Sequence, residues 1–319
     1  MKTNGSLASD NHKKIEHILV FAPTYNENIG GVIMLHKLSD QLNRAGVSSS
    51  IFPYFDNRHE NLKEHSQYNK EYLQAKFLKA KNSFEVNGAF RTSLLEDICL
   101  LDNLDKWAVV YPEVVSGNPL GAKNVIRWFL HYPGFHTGIT NYGDKELYFK
   151  VSSEMQEFHY KNSKTSDVIL KFLHYPLELY NLNNVSKERE GTAYCLHKGK
   201  DKEIQHDLSD SILIDGKSHK EIAKIFKAVE MFISYDAHTS YIAFAILCGC
   251  KTIVIKDSAD NEKVWRRDLE NKYGIVYGLE NKDKAQANSS VLLNDILSEA
   301  SSYEKLIQDF SKEVDKFFA

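Results

Sequence analysis

The chain predicts an α/β protein of two domains, each built on a parallel sheet. Three observations predict it. Short apolar runs such as HILVFA (17–22), WAVVY (107–111) and MFISY (231–235) end in polar turns. Helical patterns follow several of these turns, as in βαβ units. The alternation starts afresh in the second half, and 319 residues favour two domains over one.

Residues 1–14 are polar and read as a disordered tail. Ile15 to Ala22 is a buried strand, and the turn Pro23–Gly31 leads into a helix with Val32, Leu35, Leu38 and Leu42 on one face. Gly46 ends that helix, and Val47 to Tyr54 returns as a strand. Residues 55–85 are polar, with a weak helical stripe at Tyr68, Tyr72, Leu73, Phe77 and Leu78. Trp107 to Tyr111 is the next strand, followed by Pro112, Glu113 and a loop to Pro119. Ala122 to Leu130 reads as a helix stopped by Tyr132-Pro133-Gly134, and Tyr148 to Val151 reads as a strand.

From Thr192 the expected strands are Ala193–Leu196, Ser211–Ile214, Met231–Tyr235, Lys251–Ile255 and Ile275–Tyr277. The expected helices are Lys220–Val229, Ser240–Leu247, Lys263–Lys272 and Ser290–Ser298. Ser218 and Glu221 have the spacing of a capping box. Tyr303, Leu306, Phe310, Val314 and Phe317 repeat at helical spacing. The expected domains are 15–178 and 179–300, joined through polar residues 175–190, with 301–319 as a helix returning to the first domain.

A net charge of −3 argues against a general nucleic-acid binder, which would show a basic face. The start of the chain has no apolar signal-peptide core, and no apolar run reaches the ~18 residues of a membrane span. Four cysteines with no ligand spacing read as reduced thiols of an intracellular protein; Cys248-Gly249-Cys250 is too close for half of a zinc site. There is no Ser-His-Asp pattern, no Cys-His pattern and no Walker lysine loop.

Ligands of open α/β sheets bind at the carboxyl ends of the strands, so the turns there supply the candidates. The turn Asp236-Ala237-His238-Thr239 joins a buried strand to a helix start, whose free N–H groups and dipole suit a phosphate. Glu113 stands at the end of another strand. Gly30-Gly31 opens a helix and lets a ligand approach the backbone. His131, His136 and His197 also lie near turns, and a lone histidine is more often a satisfied residue than a catalyst.

The block YPEVVSGNPLGAKNVIRWFLHYPG (111–134) resembles one found in bacterial GT-B glycosyltransferases of polysaccharide and glycan biosynthesis. The resemblance rests on this block and on 231–257. It implies two Rossmann-like domains facing each other across a cleft, with the C-terminal helix crossing back. Glu113 and Asp236 are its implied catalytic residues. Lys198, Lys200, Tyr235, Asp236, His238, Thr239 and Ser240 would bind the donor. Gly30, Gly31, Asn118 and Arg127 would lie on the acceptor and sugar side. Retaining GT-B enzymes often carry two glutamates eight positions apart; the matching residues here are Asp236 and Phe244, so the ribose contact is lost or supplied elsewhere. Pro23-Thr24-Tyr25-Asn26-Glu27 resembles the opening of GT-A enzymes, which usually add an Asp-x-Asp pair that this chain lacks.

The implied function is metal-independent transfer of a hexose from a nucleotide sugar to a glycan or lipid-linked acceptor in surface polysaccharide assembly. No cofactor is expected, the nucleotide sugar being a substrate. The implied location is cytoplasmic, with peripheral association at the inner face of the membrane. A nucleotide-sugar epimerase on the same fold, a GT-A transferase and a non-catalytic GT-B-like partner protein remain alternatives.

Overall fold

A computed structural model describes residues 15–53, 70–237, 239–256 and 272–319. The chain divides into two compact units, 1–174 with 302–319, and 175–301. The expected tail at 1–14, the expected helix at 263–272 save its last residue, and His238 lie outside the described residues.

The first unit holds six strands: β1 (His17–Ala22), β2 (Ser49–Pro53), β3 (Trp107–Pro112), β4 (Asn124–Phe129), β5 (Leu147–Lys150) and β6 (Lys164–Ile169). They form one sheet in the order β2-β1-β3-β4-β5-β6, and every pairing is parallel. Helices α1 (Gly30–Arg44) and α2 (Lys70–Lys81) accompany it. A parallel sheet must be covered on both faces, and β1 shows how this is done. Ile18, Val20 and Ala22 join the core that contains Leu35, Leu38 and Leu42 of α1. Leu19 and Phe21 alternate to the other face, with Leu73 and Phe77 of α2.

The segment expected to be a helix over 122–130 is strand β4. Its run VIRWFL is apolar at nearly every position, which suits a strand buried on both sides as well as a helix. The neighbours decide: β3 and β5 pair with it on either side. Strand β6, which begins Lys-Thr-Ser-Asp, has too little apolar content to be legible in sequence.

The second unit holds β7 (Thr192–Cys195), β8 (Ser211–Leu213), β9 (Met231–Ser234), β10 (Lys251–Val254) and β11 (Val276–Tyr277). The sheet order is β11-β10-β9-β7-β8, again parallel throughout. Helix α3 (His219–Ala228) begins with the capping box expected at Ser218 and Glu221. Helix α4 (Tyr241–Leu247) is seven residues long.

Residues 175–190, which read as a polar join, belong to the second unit. Tyr180 is fully buried in its core. Arg189 donates hydrogen bonds to the carbonyls of Phe226 (2.7 Å), Val229 (2.7 Å) and Cys248 (3.1 Å). It thereby ties the C-terminal ends of α3 and α4 together, where helix carbonyls lack partners of their own.

The two helical patterns near the C-terminus are one helix, α5 (Ser289–Phe318). Leu292 and Ile296 pack into the second unit's core, while Tyr303, Ile307, Phe310 and Val314 pack into the first unit's core. No helix among the described residues is long and apolar enough to cross a membrane.

Candidate functional site

Each sheet has a point where the strand order reverses, and such points are where open α/β sheets bind ligands. In the first sheet β2 lies on one side of β1 and β3 on the other. The register Val20↔Val110 brings Ala22, the end of β1, and Pro23 after it level with Pro112, the end of β3, and Glu113 after it. In the second sheet β8 and β9 flank β7 in the same way, so the turns after Cys195 and Ser234 face one another.

At the first point Glu113 is buried, with 5 % of its surface exposed. Its Oε2 accepts from the backbone N–H of Leu130 at 3.0 Å, and its carbonyl accepts from the Tyr142 hydroxyl at 2.8 Å. Burial pushes its pKa up to about 7, against the pull of backbone N–H groups and of Arg127. A carboxyl in this state can give or take a proton near neutral pH.

Arg127, expected on the acceptor side, is engaged inside the first unit. It sits on β4, fully buried. Its guanidinium donates to both oxygens of Glu146, at 2.9 and 2.7 Å, and to the carbonyls of Val115 (2.6 Å) and Gly117 (2.9 Å). The rings of Tyr111 and Tyr142 lie 5.3 and 4.5 Å from it. It holds the loop after Glu113 from beneath. Asn118 is likewise engaged internally: Tyr111 and Ala122 occupy its side-chain amide. The Gly117 N–H, which the loop could have offered to a ligand, donates to the Asn141 carbonyl.

Gly30 and Gly31 are the first residues of α1, which has no side-chain cap and no acidic residue in its first turn. A Cβ at Gly30 would meet nothing within 4 Å, so space alone does not require glycine there. Sequence reasoning passed over His36. It is fully buried; its Nε2 hydrogen-bonds the Pro23 carbonyl at 2.8 Å, and its Nδ1 has no partner among the described residues. It anchors the turn that follows β1. A histidine on the apolar side of a predicted helix, four residues after Val32, was the available signal.

At the second point the turn His197–Gly199 follows β7. A Cβ on Gly199 would lie 2.1 Å from the Tyr235 carbonyl, so the backbones after β7 and β9 touch and only glycine fits. Lys198 and Lys200 are exposed, and neither has a hydrogen bond or ion pair among the described residues. Asp236 is buried, and its carbonyl accepts from the Ser234 hydroxyl at 2.6 Å. Thr239 Oγ1 accepts from the Tyr241 N–H at 3.3 Å. Ser240 is exposed and makes no capping bond.

Tyr235 is fully buried, and its phenol oxygen accepts from the Gln205 N–H at 2.8 Å and pairs with His206 Nδ1 at 2.8 Å. It supports the 205–206 segment and offers a donor no free group. Helix α4 lies where expected, with Ser240 as its N-cap, and is only two turns long, so its dipole is small. Phe244, at the position that matches a family glutamate, is core: its ring stacks on Tyr180 at 4.3 Å. Asp215, one residue beyond Ile214, was missed; the strand-then-acid pattern of SILID was its signal. It accepts from the N–H groups of Leu196 (3.2 Å) and His197 (3.0 Å).

No family model and no curated protein matches this chain. Solved structures similar to it include a sucrose-phosphate synthase from Thermosynechococcus elongatus, at 11 % identity and a TM-score of 0.36, with 95 % of each chain covered. Acinetobacter baumannii MurG is similar at 10 % identity and a TM-score of 0.35, covering 94 % of this chain and 95 % of its own. Likenesses of that size carry no argument about the reaction, which must come from the residues.

Proposed function

We propose that the chain is a GT-B glycosyltransferase that moves a hexose from a nucleotide sugar to a glycan or lipid-linked acceptor in surface polysaccharide assembly. The observation that carries this reading is the pair of exposed lysines, Lys198 and Lys200, which have no side-chain partner among the described residues, at the strand-order reversal of the second sheet. Transfer from a nucleotide sugar releases a diphosphate, and its growing charge must be met as the bond to the anomeric carbon breaks. Lysines near the end of β7, with the Thr239 hydroxyl after β9, supply positive charge and donors without a metal ion on the diphosphate. The short α4 leaves most of that task to the lysines.

The first unit takes the acceptor in this reading. Glu113, with its pKa near neutrality, is the acid or base for the acceptor hydroxyl. Asp236 is the second acidic group, on the donor side. The protein works in the cytoplasm, at or near the inner face of the membrane.

Calorimetry with UDP and GDP tests the donor assignment. Lys198→Ala removes a charged hydrogen bond and is expected to weaken one of the two nucleotides by about tenfold or more. Thr239→Ala removes a neutral one and is expected to weaken it by about fivefold. Unchanged affinities in both variants would end the assignment. Phe244 favours one rival, a non-catalytic partner with the same fold, because it replaces a group that would contact the ribose. Transfer or donor hydrolysis by the purified protein excludes that rival.

A further inference from the structure

We propose that Cys195, His197 and Asp215 form a binding site for one divalent cation of the zinc class at the carboxyl ends of β7 and β8. The sulfur, one imidazole nitrogen and one carboxylate oxygen all lie within 4.8 Å of one another. Thiolate, imidazole and carboxylate together are a donor set that zinc accepts. His197 Nε2 and Asp215 Oδ1 are 3.4 Å apart, long for a hydrogen bond. Two ligands at about 2 Å from a tetrahedral zinc stand about 3.3 Å apart, so this pair already has the spacing of two ligands on one ion.

Two further features favour a ligand here. His197 has φ of 42°, in the left-handed region that a residue with a side chain seldom enters. Such backbone is kept where a side chain must be aimed, and here it turns the imidazole back toward Asp215. The outer partners that metal ligands need are also present. The Leu196 and His197 N–H groups hold Asp215 Oδ2 and leave Oδ1 toward the histidine. The Ser234 hydroxyl lies 3.3 Å from Cys195 Sγ. When the ion binds, the Cys195 thiol gives its proton to solvent and a sulfur–metal bond forms. Water takes the fourth position.

The ion would fix the turn Leu196–Gly199, which carries Lys198. The site departs from the sequence expectation of no metal. It does not rest on the transferase reading, which places no ion on the diphosphate, and it is read out without a sugar or nucleotide.

Titration of the purified full chain with cobalt(II) tests it, because a sulfur–cobalt bond gives a charge-transfer band in the near ultraviolet. One equivalent of cobalt is expected to bring up the band, and zinc to remove it. Cys195→Ser should abolish the band, while Cys99→Ser, at an exposed thiol remote in sequence, should leave it. His197→Ala, at a half-exposed ring, keeps the fold testable if the buried serine variant fails to fold. It is expected to weaken cobalt binding at least about tenfold, the lower bound for loss of even an outer-shell partner. No band at stoichiometric cobalt, or a band unchanged in His197→Ala, overturns the site.

Discussion

Glu113 carries the clearest consequence at the scale of one residue. Its carboxyl is buried, and its pKa stands at about 7 against an ordinary 4.5. The folded state therefore holds a proton that the unfolded state has already lost between these values. Stability falls as pH rises from about 4.5 to about 7, and is flat above. Glu113→Gln keeps an acceptor for the Leu130 N–H and removes the ionisation. The variant is expected to lose that decline, gaining up to about 3 kcal/mol on the wild type at pH 8. Urea melts at pH 5 and pH 8 measure this. If Glu113 is the acid or base, the same variant loses about 10²–10⁴-fold in kcat/KM. Parallel pH–stability curves for the two proteins would show that burial does not hold the proton. Glu113 was legible in sequence because an acid at a strand's end is visible there. The burial that sets its state, and the Leu130 and His131 N–H groups and Arg127 that oppose it, were not, since they are properties of the fold.

Strand β4 shows what elements conceal. A run of Val, Ile, Trp and Phe around one arginine satisfies both helical and strand patterns, and only pairing with β3 and β5 resolves it. The resolution matters because it buries Arg127 against Glu146, with two tyrosine rings beside it. A buried pair is costly to break by halves, since the remaining charge has no partner. Arg127→Ala is expected to destabilise the first unit by about 3–5 kcal/mol. Arg127→Met with Glu146→Leu should recover much of that. Thermal unfolding followed by tryptophan fluorescence checks both, because two of the three tryptophans, Trp107 and Trp128, lie in the first unit. A single variant as stable as the wild type would mean that water reaches the pair. The strands and turns at the two reversal points were legible, because apolar runs ending in Pro-Glu or Tyr-Asp are local signals. The internal bonds of Tyr235 and Asn118 were not legible for the opposite reason: several of them are made to residues that sequence does not bring near.

At the scale of the whole molecule, α5 is the element on which both units draw. Its periodicity was legible at both ends, but as two helices, Ser290–Ser298 and 301–319. Serine is only mildly unfavourable inside a helix, and apolar anchors on either side hold the helix through the serines at that boundary. Phe310 is fully buried, its ring 4.8 Å from that of Phe149 on β5. The Tyr303 hydroxyl accepts from the Leu173 N–H at 2.8 Å, at the end of the first unit. A chain ending at Ser301 keeps Leu292 and Ile296 for the second core but takes four buried side chains from the first. Each large side chain removed from a core costs about 2–5 kcal/mol, and a domain has roughly 5–15 kcal/mol in all. The truncated chain is therefore expected to lose amide protection across β1, β3 and β4 while β7, β9 and β10 keep theirs. Phe310→Ala, at about 3–5 kcal/mol, should shift the same strands partway. Hydrogen exchange read strand by strand distinguishes this from general loosening. Equal loss in both sheets would mean that the units unfold as one, and the division of α5 between two cores would have no energetic meaning.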